Sequence, residues 1–227
     1  YLIVTKDGGR TWKSISSNIP ENNFVWTVVE DHINPDVLFI GTEFGMYFSM
    51  DAGASWRKFN KVPTIPIRDL EIHEGEDDLV AASFGRGFYI VDDYSPIREY
   101  SRQIDGLPAH LFSVKSTYQY IVAAPEKTAT GHNFFTSPNP PYGVKLSYYL
   151  GNSILSKFEE RQNEESNKFN KGETIDYPTA KKLEDEAKEK TPKIYLTISD
   201  SEGKVVRRIS SNKNKGYHEK YWDLRTF

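Results

Sequence analysis

Residues 5–12, Thr5-Lys6-Asp7-Gly8-Gly9-Arg10-Thr11-Trp12, and residues 49–56, Ser49-Met50-Asp51-Ala52-Gly53-Ala54-Ser55-Trp56, follow one pattern: S/T-x-D-x-G-x-S/T-W. Asp and Trp recur together 44 residues apart, from 7 to 51 and from 12 to 56. The residue types suit a turn between two strands. A short Asp side chain accepts the N–H groups of the turn that follows it. Gly9 and Gly53 supply a positive φ that a Cβ would strain. Trp12 and Trp56 open the next strand and carry the largest apolar area available for wedging against a neighbouring sheet. Asp7, Gly9, Thr11, Trp12, Asp51, Gly53, Ser55 and Trp56 therefore read as a structural staple, not as chemistry.

A period of this length is close to the roughly 40–50 residues of one four-stranded propeller blade. A degenerate third copy follows: Gly45-Met46-Tyr47-Phe48-Ser49-Met50-Asp51 aligns with Gly87-Phe88-Tyr89-Ile90-Val91-Asp92-Asp93, 42 residues on, keeping the Asp and losing the Gly and Trp. Between these landmarks Phe24 to Val29, Val37 to Gly41, Ile67 to Ile72 and Leu79 to Ser83 have strand-like content bounded by Asn, Pro, Asp or Gly. The expectation is four strands per repeat. Three partial blades cannot close a ring, which needs at least about four, and Tyr1-Leu2-Ile3-Val4 reads as a strand already in progress. Upstream blades of a larger parent are expected.

The repeat stops near Leu107, and Ala123 to Pro141, rich in Pro, Ala, Thr and Asn, reads as an extended connection. Gly143 to Leu150 then alternates apolar and polar residues as a half-buried strand does. Ile194 to Ile198, the turn Asp200-Ser201-Glu202-Gly203 and Val205 to Ile209 form a hairpin, and Gly216 opens a last strand through Tyr217, Tyr221, Trp222 and Leu224. Four such strands suit a small sandwich. From about Ser153 to Lys190 the pattern turns helical. Ile154, Phe158 and Phe169 outline one weakly amphipathic helix. Pro178 suits the first turn of a second, with Ala180, Leu183 and Ala187 on one face and Glu184/Lys188 and Glu186/Lys190 in i,i+4 order.

Composition bounds the function. The formal charge of −3, from 29 basic and 32 acidic residues, creates no positive field for nucleic acid or an anionic membrane. No apolar run reaches the roughly 18 residues of a membrane span. Without cysteine there is no thiolate nucleophile and no cysteine-type zinc site. No cofactor motif is present, and the five histidines (His32, His73, His110, His132, His218) show no metal-binding spacing. A glycosidase needs two carboxylates about 5–10 Å apart across its substrate. Adjacent Asp92 and Asp93 point to opposite faces of a strand, and Glu30-Asp31 and Asp77-Asp78 read as strand-end turn residues. Arg68, Arg86 and Arg98 have no spacing that would gather them on a carboxylate. No catalytic or metal residue is assigned. Arg86, between Gly85 and Gly87, is the candidate for binding a carboxylate or for a salt bridge to Asp92 or Asp93.

The paired turns resemble the BNR/Asp-box propellers shared by sialidases, xyloglucanase-type glycoside hydrolases and the sortilin-type Vps10 domain. With Phe84 to Asp93, Lys204-Val205-Val206-Arg207-Arg208 and Trp222-Asp223-Leu224-Arg225, the chain is similar to the C-terminal region of large secreted bacterial proteins described as sortilin-like or glycosyl-hydrolase-like. Their last domain is similar to the Ig-like domain of flagellar hook-capping proteins. One departure is Phe84, where this group commonly has His. The resemblance implies an all-β chain: last blades of a β-propeller at 1–106, a connector at 107–141, and an Ig-like β-sandwich at 142–227 with a helical hairpin insert at about 153–190. It also implies export to the periplasm, cell surface or medium. The functional expectation is a non-catalytic binding or scaffolding module whose partners are the rest of the parent propeller and a polypeptide, glycan or envelope component. The alternative is the structural end of an exported glycoside-hydrolase-like enzyme whose active site lies upstream.

Overall fold

The computed structural model describes residues 1–100, 104, 106–121 and 138–226. Among them are fourteen strands and three helices, so the chain is built mainly of β-structure. The strands form several small antiparallel sheets, none closed on itself. They fall into two compact units, Tyr1–Gln103 and Ile104–Phe227. Residues 122–137 of the expected connector, and His132 with them, lie outside the described residues.

In the first unit, β1 (Ile3–Val4) and β2 (Lys13–Ser14) flank the first Asp-containing turn. Next comes a sheet in the order β3 (Val25–Glu30), β4 (Leu38–Thr42), β5 (Gly45–Ser49), β6 (Arg57–Lys58), with the second such turn between β5 and β6. A third sheet, β7 (Ile67–His73), β8 (Asp78–Ser83) and β9 (Phe88–Val91), leads into the short helix α1 (Ser95–Glu99). The aligned segments from Gly45 and Gly87 thus occupy the third strands of successive sheets. Among the described residues, four strands per repeat are complete in the second sheet; the first has two and the third has three.

β4 explains how the sheets stack. All five of its residues are buried, because another sheet lies against each face. Leu38 and Ile40 pack with Leu2, Ile15, Tyr47 and Trp56. Phe39 packs with Met46, Ile67, Leu70, Leu79 and Tyr94. A strand covered on both sides is continuously apolar where a half-covered one alternates, and each such side chain contributes roughly 1.5–3 kcal/mol on burial. Gly41 marks the closest approach: a Cβ there would come within 2.7 Å of the Ile67 carbonyl oxygen and 2.8 Å of the Thr27 methyl. The outermost faces remain open, with Ile3 of the first sheet and Phe88 and Ile90 of the third exposed.

The second unit has a sheet in the order β10 (Ala109–Leu111), β11 (Val144–Leu150), β14 (Gly216–Trp222), and a hairpin of β12 (Ile194–Ser199) with β13 (Val205–Ser211). β10 falls inside the stretch read as a connector and pairs with β11 from Ala109↔Leu150 to Leu111↔Tyr148. In β11, Leu146, Ser147 and Tyr148 are buried in succession where alternation was expected. The Tyr148 hydroxyl donates toward Ser211 Oγ and the Asn212 carbonyl, both at 2.8 Å, tying β11 to the end of the hairpin.

Two helices lie between β11 and β12. α2 (Lys157–Asn170) starts in a capping box: Ser156 accepts from the Glu159 N–H while Glu159 accepts from the Ser156 N–H. α3 (Ala180–Lys188) is capped by Thr179, which leaves Pro178 just outside the first turn where it was expected. Glu184 and Lys188 pair as their spacing predicts. Glu186 does not pair with Lys190, because α3 ends at Lys188; it takes the Arg161 guanidinium at 2.7 and 2.9 Å and so fastens α3 to α2.

Candidate functional site

The two Asp turns share their inner bonding. Asp7 accepts from the Thr11 N–H at 2.8 Å, the Thr11 hydroxyl at 2.7 Å and the Thr5 hydroxyl at 2.9 Å. Asp51 accepts from the Ser55 N–H at 2.8 Å, the Ser55 hydroxyl at 2.5 Å and the Ser49 hydroxyl at 2.7 Å. Thr5 and Ser49 accept in turn from the N–H of Gly9 and Gly53, which stand at φ +89° and +81°. The Thr11 N–H and then its hydroxyl hold the Asp7 carboxyl down at about 2. Both carboxylates are bonded within their own turns.

The tryptophans differ. Trp56 is 3% exposed, donates its indole N–H to the Ile15 carbonyl at 2.6 Å, and is clamped at its backbone N–H and C=O by the Asn18 amide, both at 2.7 Å. Trp12 is 58% exposed and donates back into its own turn, to the Gly9 carbonyl at 3.1 Å. The expected wedge is present at Trp56 and absent at Trp12.

Arg86 stands at the exposed tip of the β8–β9 turn between Gly85 and Gly87, both at positive φ. Asp92 and Asp93 follow the other end of β9, four residues or roughly 13 Å of strand away. The structure does not bring Arg86 to either. Asp93 serves its own turn, accepting from the Ser95 hydroxyl at 2.5 Å, while its N–H donates to Asp78 at 2.8 Å.

A charged cluster forms where no convergence was expected. Asp31, at the end of β3, caps its turn by accepting from the N–H groups of Ile33 and Asn34, as a strand-end Asp should. It is also buried and accepts from Arg98 Nε at 2.8 Å, Arg98 Nη2 at 2.6 Å and the Tyr94 hydroxyl at 2.6 Å. The same Arg98 nitrogen donates to Asp77 at 2.7 Å. Burial alone would raise the Asp31 pKa, but the bonds from Arg98 and Tyr94 outweigh it and hold the carboxyl well below the usual range. Burial, then the hydrogen bond to Asp31, pushes the Tyr94 phenol up. His32 lies beside the pair, Nε2 3.4 Å from Asp77 and Nδ1 3.7 Å from Asp31. Asp31, His32 and Asp77 could reach one metal ion, yet the Arg98 guanidinium already holds both carboxylates. The cluster reads as a buried ion pair of Asp31 and Arg98 shared with Asp77.

An aromatic shelf was also missed. Arg68, at the start of β7, lies over the Trp26 ring at 3.6 Å and near the Phe84 ring at 5.1 Å. Trp26 donates its indole N–H to Glu43 at 2.9 Å, Glu43 lies 3.8 Å from Arg68, and Phe24 stands 6.5 Å from Trp26. Phe24, Trp26 and Phe84 are all exposed. Sequence alternation alone could not reveal it, because β3 carries a register shift between Val25 and Thr27, at Trp26.

No helix among the described residues is long and apolar enough to cross a membrane. No protein-family model matches the chain, and no curated protein or solved structure is significantly similar to it.

Proposed function

We propose that this chain is a non-catalytic binding and scaffolding module of a larger exported protein. In this reading residues 1–106 are the last Asp-box blades of a β-propeller and residues 142–227 an Ig-like sandwich with a helical hairpin insert. The observation that carries it is the stacking of three sheets built on one repeat. Both faces of β4 are covered by neighbouring sheets, while Ile3 of the first sheet, and Phe88 and Ile90 of the third, stay open. Large exposed apolar faces mark interaction surfaces, and further sheets of the same repeat are the covering that the inner faces already use. Asp31 and Asp77, brought together in the first unit, are both bonded to Arg98, an arrangement that suits a structural ion pair better than an acid–base pair. Export rests on the family resemblance alone.

Fractionation of the source cells with peptide mass spectrometry tests the reading. Peptides of this chain are expected in an extracytoplasmic fraction, on a polypeptide longer than its 26.1 kDa. A cytosolic species of that mass overturns it.

A further inference from the structure

We propose that the chain forms a weak two-fold dimer in which β9 pairs antiparallel with β9 of a second copy, joining two three-stranded sheets into one of six. The contact uses the edge of the third sheet, and a second copy is the occupant because that edge is complementary to itself.

The third sheet stops where the second continues. In the second sheet β6 covers the edge of β5, and the Phe59 N–H donates to the Met46 carbonyl at 2.8 Å. Met46 aligns with Phe88, yet among the described residues no strand lies beyond β9. The Ser83 N–H donates to the Gly87 carbonyl at 3.0 Å. Gly87, Tyr89 and Val91 therefore turn their backbone groups to β8, and Phe88 and Ile90 turn theirs to the open edge. Sheets commonly guard such an edge with charge or proline. The second sheet does so with Arg57-Lys58 of β6, whereas Gly87 to Val91 carries neither, and Phe88 and Ile90 are exposed.

Two antiparallel copies of β9 that exchange backbone bonds through Phe88 and Ile90 must place Tyr89 on the two-fold axis. Phe88 of each copy then faces Ile90 of the other, about 5 Å apart at Cβ, an aromatic and β-branched pair on one face of the joined sheet. One step outward on that face, the same register sets Arg86 at the turn tip against Asp92 of the other copy, twice. Within one chain the length of β9 holds these two apart. A carboxylate has room for a guanidinium beside the partners it already has. The surrounding charges agree with this pairing. Asp93 and Asp78 share the Asp92 end, where the Asp93 N–H donates to Asp78. At the tip end Arg68 and Glu43 face each other at 3.8 Å, and Asp69 stands two strands inward, in register with Ala82.

Sedimentation equilibrium of the chain between about 10 µM and about 1 mM tests this, the range in which a small interface associates. A reversible species of twice the 26.1 kDa chain mass is expected. Ile90→Lys, which places a charge on the edge without removing a bond to β8, should abolish it. Arg86→Asp and Asp92→Arg should each weaken it at least about tenfold, because each sets like charges opposite one another twice. An equimolar mixture of these two variants should associate as the unaltered chain does. Trp12→Ala, which removes an exposed ring elsewhere in the unit, should change nothing. A monomer at about 1 mM overturns the proposal and returns the edge to a strand from elsewhere. So does a dimer indifferent to Ile90→Lys, or growth into longer assemblies, which a two-fold edge contact cannot form. A mixture of folded variants that stays monomeric overturns the register. If Asp92→Arg does not fold, Arg86→Asp at its exposed tip still decides, since a dimer it leaves unchanged has a different register. None of these outcomes touches the module reading, which falls by the fractionation result.

Discussion

The first unit has two joints between its three sheets, and they use opposite chemistry at matching positions. With Gly45 aligned on Gly87, Trp56 falls on Arg98, each pair 42 residues apart. Trp56 reaches back from the second sheet to the Ile15 carbonyl after β2. Arg98 reaches back from α1, which follows the third sheet, to Asp31 after β3. One side chain closes its joint by filling volume, the other by neutralising a buried carboxylate. The repeat therefore specifies where a long side chain must cross to the preceding sheet, and leaves open whether it crosses as a ring or as a cation. Trp12 holds the same place in the first turn with nothing to cross to, and its indole folds back on Gly9.

The sharpest way to break this comparison is Arg98→Met, which keeps much of the stem and removes the charge. It leaves Asp31 buried without its cation and should cost about 3–5 kcal/mol in denaturant unfolding at neutral pH. The pH dependence separates it from a packing defect. In the native protein the Asp31 pKa is lowered, so its contribution is present above the unfolded value of about 4 and is lost as pH falls below it. In the variant burial acts unopposed by Arg98 and raises that pKa, so lowering the pH relieves the variant. The deficit should narrow towards pH 4; an unchanged deficit would mean that the joint is held by packing.

Trp56→Ala is the counterpart and should cost about 3 kcal/mol or slightly more through the cavity it leaves. This deficit should be the same at pH 7 and near pH 4, since no titrating group changes its surroundings. Trp12→Ala should cost less than about 0.5 kcal/mol. Equal losses for the two tryptophans would show that Trp12 is buried in solution.

The two joints also differ in how far the sequence discloses them. Thr5–Asp7–Thr11 and Ser49–Asp51–Ser55 bond within four residues, so residue type and spacing reveal them directly. Trp56 could be assigned to a wedge from its size alone. Arg98 could not be matched with Asp31, 67 residues away, or Asp77, 21 away, because nothing local distinguishes a buried counter-ion from a solvated charge. Asp31 was read as a turn residue, and it is one; its second role depends on a partner brought by the fold. Arg68 over Trp26 was hidden for the same reason, by a separation of 42 positions. Glu186 shows the reverse failure: its spacing to Lys190 was correct, but the helix ended first.

Asn18→Ala tests whether the apolar joint needs its polar clamp. The Asn18 amide alone serves the N–H and C=O of Trp56 at their inner side, and removing it strands two partly buried backbone groups. A loss of about 1–2 kcal/mol is expected, with the Trp56 fluorescence maximum still that of a buried indole. A red shift to the Trp12 environment would mean that the clamp, and not the volume of the ring, keeps Trp56 in place.

The smallest effect lies in the turn itself. Ala52 stands at φ +54°, where the first turn has Gly8 at φ +70°. A left-handed conformation costs an L-residue roughly 1–2 kcal/mol, whereas glycine reaches it freely and loses about 0.5–1 kcal/mol through its greater freedom when unfolded. Ala52→Gly should thus stabilise the chain by about 0.5–1 kcal/mol, and Gly8→Ala should destabilise it by a similar amount, both read from denaturant midpoints at unchanged slope. Because the Ala52 N–H already donates to the Asp36 carbonyl at 2.9 Å, the gain comes from relieved backbone strain and not from a new bond. If Ala52→Gly is instead destabilising, the positive φ is imposed by the docking of the turn on Ile15 and Asn18, and the second turn is a product of its joint where the first is autonomous.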